Sequence, residues 1–381
     1  MPAGPVPVRR PPSEIDVPGL RRVVADLFVP RPWVYWTDFL LTWTIGSICF
    51  GLTQWVWFEA PAGLTVLGLP AMAFTALTYP VAVVAFYRAA TFVHEVVHLP
   101  RQRFLAFRAV WNLLCGIPFL IPSFSYHTHL DHHRGRHYGT DRDGEYIALA
   151  TRPPWGILLY LTQCLWLPVA AFLRYAVLAP IGWVVPPFRR LLLRRASSMV
   201  MDPLYERLPK DGDARWAFWA QEVACTAFLW GIFAAALLVK DRLPIPFLAT
   251  GYLLSVGVLL LNHTRTLAAH RYASDGSEMS FGGQVLDSIN LDPAASGLYE
   301  LWAPVGTKYH ALHHLFPGMP YHNLGTAHRR LMATIPADDP YRRTQSHAGP
   351  AFATLWRAAA SHADRAGSND ADGARPFASS T

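Results

Sequence analysis

The fold is decided first by an apolar run at residues 36–58, WTDFLLTWTIGSICFGLTQWVWF, which carries no charged residue after Asp38. A membrane-spanning helix needs about 20 apolar residues to cross the ~30 Å of hydrocarbon in a bilayer. This stretch therefore predicts a transmembrane helix. Three further runs have a comparable length and composition: residues 64–97, 216–239 and 245–261, the last of which continues as helix to His270.

Two other apolar stretches are interrupted. Residues 104–123 contain Arg, Asn, Gly and Pro, which fits an interfacial or re-entrant helix better than a span. Residues 155–188 contain several prolines and have basic residues on both sides, so they cross the membrane twice or not at all. The predicted fold class is all-α: an integral membrane helical bundle of about four transmembrane spans plus interfacial helices, with a cytosolic histidine-rich cap.

The composition agrees with a membrane protein. The chain is 52% hydrophobic and 15% charged, whereas soluble domains carry about 25% charged residues. The net charge of +7 does not predict a nucleic-acid partner, because the arginines lie at the ends of apolar segments, where the positive-inside rule places them. We expect a multi-pass protein of the cell membrane with both termini in the cytosol, in contact with anionic lipids and with no nucleic acid.

Composition also divides the chain into three parts. Residues 1–32 are rich in Pro and charge and are expected to form an irregular cytosolic N-terminus. Residues 33–335 form the predicted membrane domain. Residues 336–381 end in a stretch rich in Ala, Ser, Asp and Gly and are expected to be a largely disordered tail.

The spacing of the histidines indicates a metal-binding function. Eight of the 16 histidines form three groups with helical spacing: His94 and His98; His129, His132 and His133; His310, His313 and His314. Residues three or four apart share a helix face, so each group directs two or three imidazoles to one place. Eight imidazoles exceed the needs of one tetrahedral zinc and suit two metal ions with an open position each. All three groups flank the predicted spans on one side, so we expect them to meet at the cytosolic mouth of the bundle.

A ninth candidate ligand is His270, at the end of the last span. His263 lies seven residues earlier, which is ~10 Å along a helix and argues against both binding the same ion. We favour His270 as the ligand and place His263 in a supporting or core position. His322 and His328 follow the third group and are expected either to support a ligand histidine or to be structural.

The three boxes HEVVH, HLDHH and HALHH, with the trailing HHLFPGMPYHNL, resemble the membrane fatty acid desaturase and hydroxylase superfamily over residues 36–335. The boxes are specific when they occur together in this order. The resemblance implies a centre of two Fe²⁺ ions beneath a bundle open to acyl chains, with O₂ as co-substrate. The ligands that it implies are His94, His98, His129, His132, His133, His270, His310, His313 and His314.

The sequence departs from that family at one position. Some members have an Asn four residues before the equivalent of His270, where it helps to hold a metal through water; here the residue is Thr266. The role of this Asn is lost, shifted to Asn262 or taken by His263. Six acidic residues either accept the free N–H of a ligand imidazole or form a solvated acidic loop: Asp131, Asp141, Asp143, Glu145, Asp287 and Asp292.

The resemblance implies oxidation of a fatty acyl or related lipid chain. An unactivated C–H bond requires reduced iron and O₂ rather than acid–base groups. We favour a desaturase that inserts a double bond by two hydrogen abstractions; a hydroxylase and an alkene-forming fatty acid decarboxylase stay open on the same scaffold. The chain has no haem- or flavin-binding motif, so we expect a separate electron donor such as a ferredoxin-like protein and its reductase.

Two other classes of protein explain part of the pattern. His94-Glu95-x-x-His98 fits the motif of a membrane zinc metalloprotease, with Glu95 as general base, but this leaves two histidine groups without a role. A metal or haem transporter would have ligands within its spans along a pathway, whereas these groups lie at one end of the spans.

Overall fold

The computed structural model of the protein describes residues 15–66, 68–208, 215–291 and 297–373. The α-helices are α1 (Val17–Val23), α2 (Pro32–Phe58), α3 (Ala71–His98), α4 (Leu105–Trp111), α5 (His129–His132), α6 (Trp155–Leu173), α7 (Ala179–Val184), α8 (Pro186–Arg195), α9 (Arg215–Lys240), α10 (Ile245–Leu267), α11 (Phe281–Asp287), α12 (Leu298–Trp302), α13 (His310–Leu315), α14 (Tyr321–Thr334) and α15 (Ala348–Gly373). The strands are the antiparallel pair β1 (Thr65–Val66) and β2 (Leu69–Pro70) and the parallel pair β3 (Asn290–Leu291) and β4 (Gln345–Ser346).

The described residues contain five helical segments long and apolar enough to cross a membrane: Pro32–Phe58, Ala71–His98, Trp155–Val184, Trp216–Lys240 and Ile245–Leu267. Only 17–22% of the apolar window in four of them is buried inside the protein, against 56% for the second. The remaining apolar surface of those four has no protein partner, which is expected of helices that face lipid. The protein is therefore a multi-pass helical membrane bundle in which α3 is central.

The segment at residues 155–188 differs from the sequence prediction. It was expected to cross twice or not at all, but α6 continues through a π-helical turn (Arg174–Leu178) into α7, and 30 residues are available for one span. Pro180 lies in the first turn of α7, where the missing N–H costs no hydrogen bond. The structure therefore offers a fifth candidate span beside the four or so that were predicted, because these prolines do not break the helical path.

Close helix contacts around α3 depend on two glycines. Gly46 of α2 lies against the Phe86 ring, where an added Cβ would come within 3.1 Å of ring carbons. Gly257 of α10 lies against Val83, where a Cβ would come within 2.9 Å. Both positions therefore let neighbouring helices approach α3 at a distance that a larger side chain would prevent.

Residues 104–123 agree with the prediction of a short in-plane or re-entrant helix. The apolar helix Leu105–Gly116 is shorter than a span. The chain then reverses at Leu120, which has a positive φ of 59°. Asn112 holds the returning chain, because its Oδ1 accepts from the Ser123 backbone N–H at 2.9 Å and its Nδ2 donates to the Ser123 hydroxyl at 2.9 Å.

Both ends of the described chain contain more structure than the sequence predicted. Near the N-terminus, Leu20 of α1 and the adjacent Val24 are buried in a core that includes Leu331 of α14. Near the C-terminus, Leu355 and Ala359 of α15 are buried in a second apolar cluster.

The expectation of an irregular start and a largely disordered tail is thus wrong at residues 17–23 and 348–373. In both segments a few apolar residues at helical spacing find a partner surface, which composition cannot reveal. Residues 1–14 and 374–381, which belong to the same expectation, lie outside the described ranges, and the domain boundaries themselves stay a prediction.

Candidate metal centre

The structure brings all nine predicted histidines together in two groups whose ligand atoms lie within 4.8 Å of one another. The five-histidine group contains His94, His98, His129, His133 and His313. The four-histidine group contains His132, His270, His310 and His314. The second and third boxes each contribute to both groups, so the two candidate sites share the same helices.

Short elements position these side chains. His94 and His98 lie one turn apart at the end of α3, while α5 and α13 are single turns that carry the second and third boxes. Helices this short are unstable alone and depend on tertiary contacts. Asn290 of β3 provides one such contact for α13, because its Oδ1 accepts from the Leu312 N–H at 3.0 Å and its Nδ2 donates to the Thr344 hydroxyl at 2.9 Å.

Distances within each group match the ligands of one ion. In the five-histidine group, Nε2 of His133 lies 3.0 Å from Nε2 of His129 and 3.0 Å from Nε2 of His313. In the four-histidine group, Nε2 of His270 lies 2.9 Å from that of His310 and 3.3 Å from that of His132. Imidazole nitrogens bind divalent metals at ~2.1 Å, so two ligands at right angles are about 3 Å apart.

Two carboxylates contact ring nitrogens of the candidate ligands directly. Nδ1 of His129 lies 2.8 Å from Glu145, and Nδ1 of His132 lies 2.8 Å from Asp143. A carboxylate in its ionised form only accepts; in that form each Nδ1 is the donor and each Nε2 presents its lone pair to the centre of its group. Lone pairs that converge at 3 Å repel one another unless a cation lies between them.

Nδ1 of His270 is also connected to a carboxylate, but through the hydroxyl of an intervening tyrosine. This Nδ1 donates to the Tyr138 hydroxyl at 2.7 Å, and that hydroxyl donates to Asp287 at 2.7 Å. Nothing in the sequence marked Tyr138 for this role, since it lies outside the boxes and an aromatic residue there has no distinctive spacing.

The other acidic candidates have different surroundings. Asp131 pairs with Arg134 at 3.2 Å and lies 3.7 Å from His137. Asp141 is exposed, and Asp292 lies outside the described residues. Gln284, which sequence reasoning missed, places its Nε2 2.9 Å from Nδ1 of His314 and donates to the His132 carbonyl at 3.1 Å.

Burial and charge keep most of the cluster neutral. Burial, reinforced by neighbouring imidazoles, holds the pKa values of His133, His310 and His314 well below the ordinary histidine value. Burial also opposes the charged form of His132, but Asp143 outweighs it and raises the pKa of that ring. Nδ1 and Nε2 of His94 are buried without a hydrogen-bond partner among the described residues. Neutral imidazoles with unused nitrogens are suited to bind metal ions.

The residues around Thr266, where some family members have an Asn, make contacts outside the two histidine groups. His263 belongs to neither histidine group, and its ring packs on Tyr160 with centroids 4.7 Å apart. Asn262 accepts a hydrogen bond from Arg265 at 2.8 Å, and the Thr266 carbonyl accepts from the Tyr272 hydroxyl at 2.7 Å. The structure therefore does not bring His263 within ligand distance of either group.

Glu95 does not point to the histidines on either side of it. Its carboxylate accepts from the Tyr35 hydroxyl at 2.7 Å and from the Tyr321 backbone N–H at 3.3 Å. This placement gives it no position as general base beside His94 and His98, so the zinc metalloprotease interpretation loses its catalytic residue.

His322 and His328 also lie outside both groups, as expected for structural residues. His322 accepts from the Arg31 N–H at 3.1 Å, and His328 lies 3.1 Å from the side-chain amide of Gln345.

Comparison with known proteins agrees with this arrangement. The pattern of the family described as fatty acid desaturase matches residues 68–346. A ceramide hydroxylase of Caulobacter vibrioides is 35% identical over 325 residues, which cover 84% of this chain and 86% of that relative. The chain belongs to the fatty acid desaturase family, and it is a membrane oxidoreductase of lipid metabolism.

Proposed function

We propose that the protein is a non-haem di-iron hydroxylase that inserts oxygen into a C–H bond of a ceramide or a related long-chain N-acyl lipid. The observation that carries the di-iron part is the division of nine converging imidazoles into two groups, of five and of four. The ceramide hydroxylase that covers most of the chain favours hydroxylation over the desaturation that the sequence led us to prefer.

The donor set fits two Fe²⁺ ions. The ligands would be the five histidines of one group and the four of the other, and the four-histidine group leaves one more position open. Reduced iron with O₂ would supply an oxidant strong enough to abstract hydrogen from an unactivated C–H bond. Imidazole suits iron among other transition metals, so iron rather than zinc follows from the family and not from the ligand type.

The protein itself positions the ligand imidazoles and excludes water from the histidine cluster. Asp143, Glu145 and the Tyr138–Asp287 pair hold three imidazoles in one tautomer and one orientation. The histidines are largely buried, which keeps bulk water from a reactive centre. The apolar helices around α3 give a hydrocarbon chain access from the bilayer.

Hydroxylation consumes O₂, two electrons and two protons and releases water with the alcohol. We propose that the electrons come from a separate donor, such as a ferredoxin-like protein with its reductase. We also propose that the protein lies in the cell membrane with both termini and the histidine-rich cap in the cytosol, where such a donor is available.

The test is expression in a host that contains ceramides, followed by mass spectrometry of the lipids. We expect ceramide that has gained one oxygen atom, dependent on O₂ and absent from the His132→Ala variant. Loss of two hydrogens instead would establish a desaturase, and a shortened terminal alkene would establish a decarboxylase. Unchanged lipids together with cleavage of peptides would overturn the proposal.

A further inference from the structure

Arg265 lies inside the membrane-spanning part of α10, five residues before His270. Its guanidinium lies against the Tyr87 hydroxyl of α3, with Tyr126 and Tyr160 nearby, so it points into the bundle. A charged residue in a span is costly and generally serves a purpose.

The hydrogen bonds of Arg265 are incomplete. Nη2 donates to Asn262 Oδ1 at 2.8 Å, whereas Nε is buried and has no hydrogen-bond partner among the described residues. No carboxylate in the described ranges forms an ion pair with it, in contrast to Arg88, which pairs with Asp38, and Arg174, which pairs with Glu222. A guanidinium that forms no direct ion pair within the described ranges and has a spare buried donor is suited to an acceptor that comes from outside the chain.

The location of Arg265 relates it to the histidines. Tyr87 is seven residues, or ~10 Å of helix, before His94, so the guanidinium lies on the membrane side of the histidine cluster. Tyr126, which lies beside the guanidinium, stacks on His129 with ring centroids 4.7 Å apart. The guanidinium is therefore close to the histidine cluster.

We propose that Arg265 donates a hydrogen bond to the amide carbonyl oxygen of the lipid substrate and so fixes which carbon lies at the metal centre. The inference rests on the proposed function. The neighbouring hydroxyls have acceptors already, since Tyr87 donates to the Trp302 carbonyl at 3.0 Å and Tyr126 donates to Glu145 at 3.2 Å. A buried donor of this kind rejects a substrate without an acceptor, because the donor is then left unpaired.

The experiment uses the iron-loaded protein in lipid nanodiscs and compares wild type with Arg265→Met, which keeps the side-chain length but removes every donor. The matched control is Arg357→Gln, because Arg357 is exposed and donates within its own helix to the Ala353 carbonyl. Dissociation constants are measured for a ceramide, the free fatty acid with the same acyl chain, and the alkane of that length. The position of the new hydroxyl group is mapped by mass spectrometry.

We expect Arg265→Met to weaken ceramide binding on the order of ten-fold or more, to leave alkane binding unchanged and to spread the hydroxyl over adjacent carbons. Iron content and thermal unfolding should match those of Arg357→Gln. Ceramide binding and hydroxyl position equal to wild type would overturn the inference. If wild type bound the free acid more tightly than the ceramide and the variant lost this preference, the group recognised by Arg265 would be a carboxylate and not an amide. That result would also overturn the inference.

If Arg265→Met does not fold, Arg265→Lys is measured in its place. Lysine keeps the charge but lacks the planar fork that holds Asn262 and a ligand together. Weaker ceramide binding with normal iron content supports the inference, and wild-type binding overturns it. A wild-type protein that oxidises no ceramide contradicts the proposed function instead, so the two failures are distinguishable.

Discussion

Tyr138 and His270 are joined by a hydrogen bond of 2.7 Å that links this imidazole to a buried carboxylate. His270 Nδ1 lies 3.9 Å from Asp287, too far for a direct hydrogen bond, and the Tyr138 hydroxyl bridges the gap. His129 and His132 contact their carboxylates directly. His270, which lies three residues beyond the end of α10, is thus oriented by a residue of the loop that follows the second histidine box.

The first prediction concerns this bridge. Tyr138→Phe removes the nearer acceptor of the Nδ1–H and leaves the more distant Ser288 hydroxyl at 3.2 Å, so the imidazole is held less firmly and iron affinity should fall about 10–100-fold. The measurement is iron retained during dialysis against a graded chelator series. Tyr146→Phe is the matched control, because Tyr146 donates to Asp287 at 3.1 Å but has no hydrogen bond with His270. Equal iron loss in both variants would show that Tyr138 has no special role.

The second prediction separates the two histidine groups. His313→Ala removes a ligand from the five-histidine group and His132→Ala removes one from the four-histidine group. Each should lower bound iron from two toward one per chain and abolish oxygen-dependent turnover, because both ions are needed. His263→Ala, which removes a buried histidine outside both groups, should retain two irons. Full iron and activity in His313→Ala would exclude the assignment of that group.

The third prediction tests whether Glu95 stabilises the fold through Tyr35 and does not act as a catalytic base. Glu95→Gln can still accept from Tyr35, so it should cost about 1 kcal/mol of folding free energy and leave iron content and lipid oxidation nearly unchanged. Glu95→Leu leaves the Tyr35 hydroxyl unpaired in the core and should destabilise more, by about 1–3 kcal/mol. Thermal unfolding in detergent and iron analysis measure both. Loss of turnover in Glu95→Gln alone would restore Glu95 as a catalytic base.

The fourth prediction concerns a buried ion network between α9 and its neighbours. Glu222, with 1% of its side chain exposed, accepts from Arg174 at 2.6 Å and from Trp183 at 3.0 Å. Glu222→Gln leaves the buried Arg174 guanidinium without a counter-charge and should lower the free energy of unfolding by about 3–5 kcal/mol.

The control for that measurement is Glu206→Gln. Glu206 pairs with Arg194 and Arg195 while 31% of its side chain is exposed, so its loss should cost less than about 1 kcal/mol. Similar shifts in the unfolding midpoint for the two variants would mean that solvent or lipid reaches Glu222.

Sequence reasoning was most accurate where the information is local. The spacing of His94 and His98, or of His310 and His314, places each pair on one helix face whatever the rest of the chain does. It was least accurate where the outcome depends on a distant partner. The burial of Leu355, for example, requires a surface supplied by other segments.

The sequence by itself determined the membrane bundle and the nine histidines. Apolar length and i, i+3 and i, i+4 spacing follow from helix geometry alone and need no knowledge of neighbours. Tertiary structure alone decided how the histidines divide into groups of five and four, that His263 joins neither, and that Tyr138 bridges to Asp287. These are contacts across as many as 219 residues of chain between His94 and His313, and no local pattern can encode which imidazole meets which.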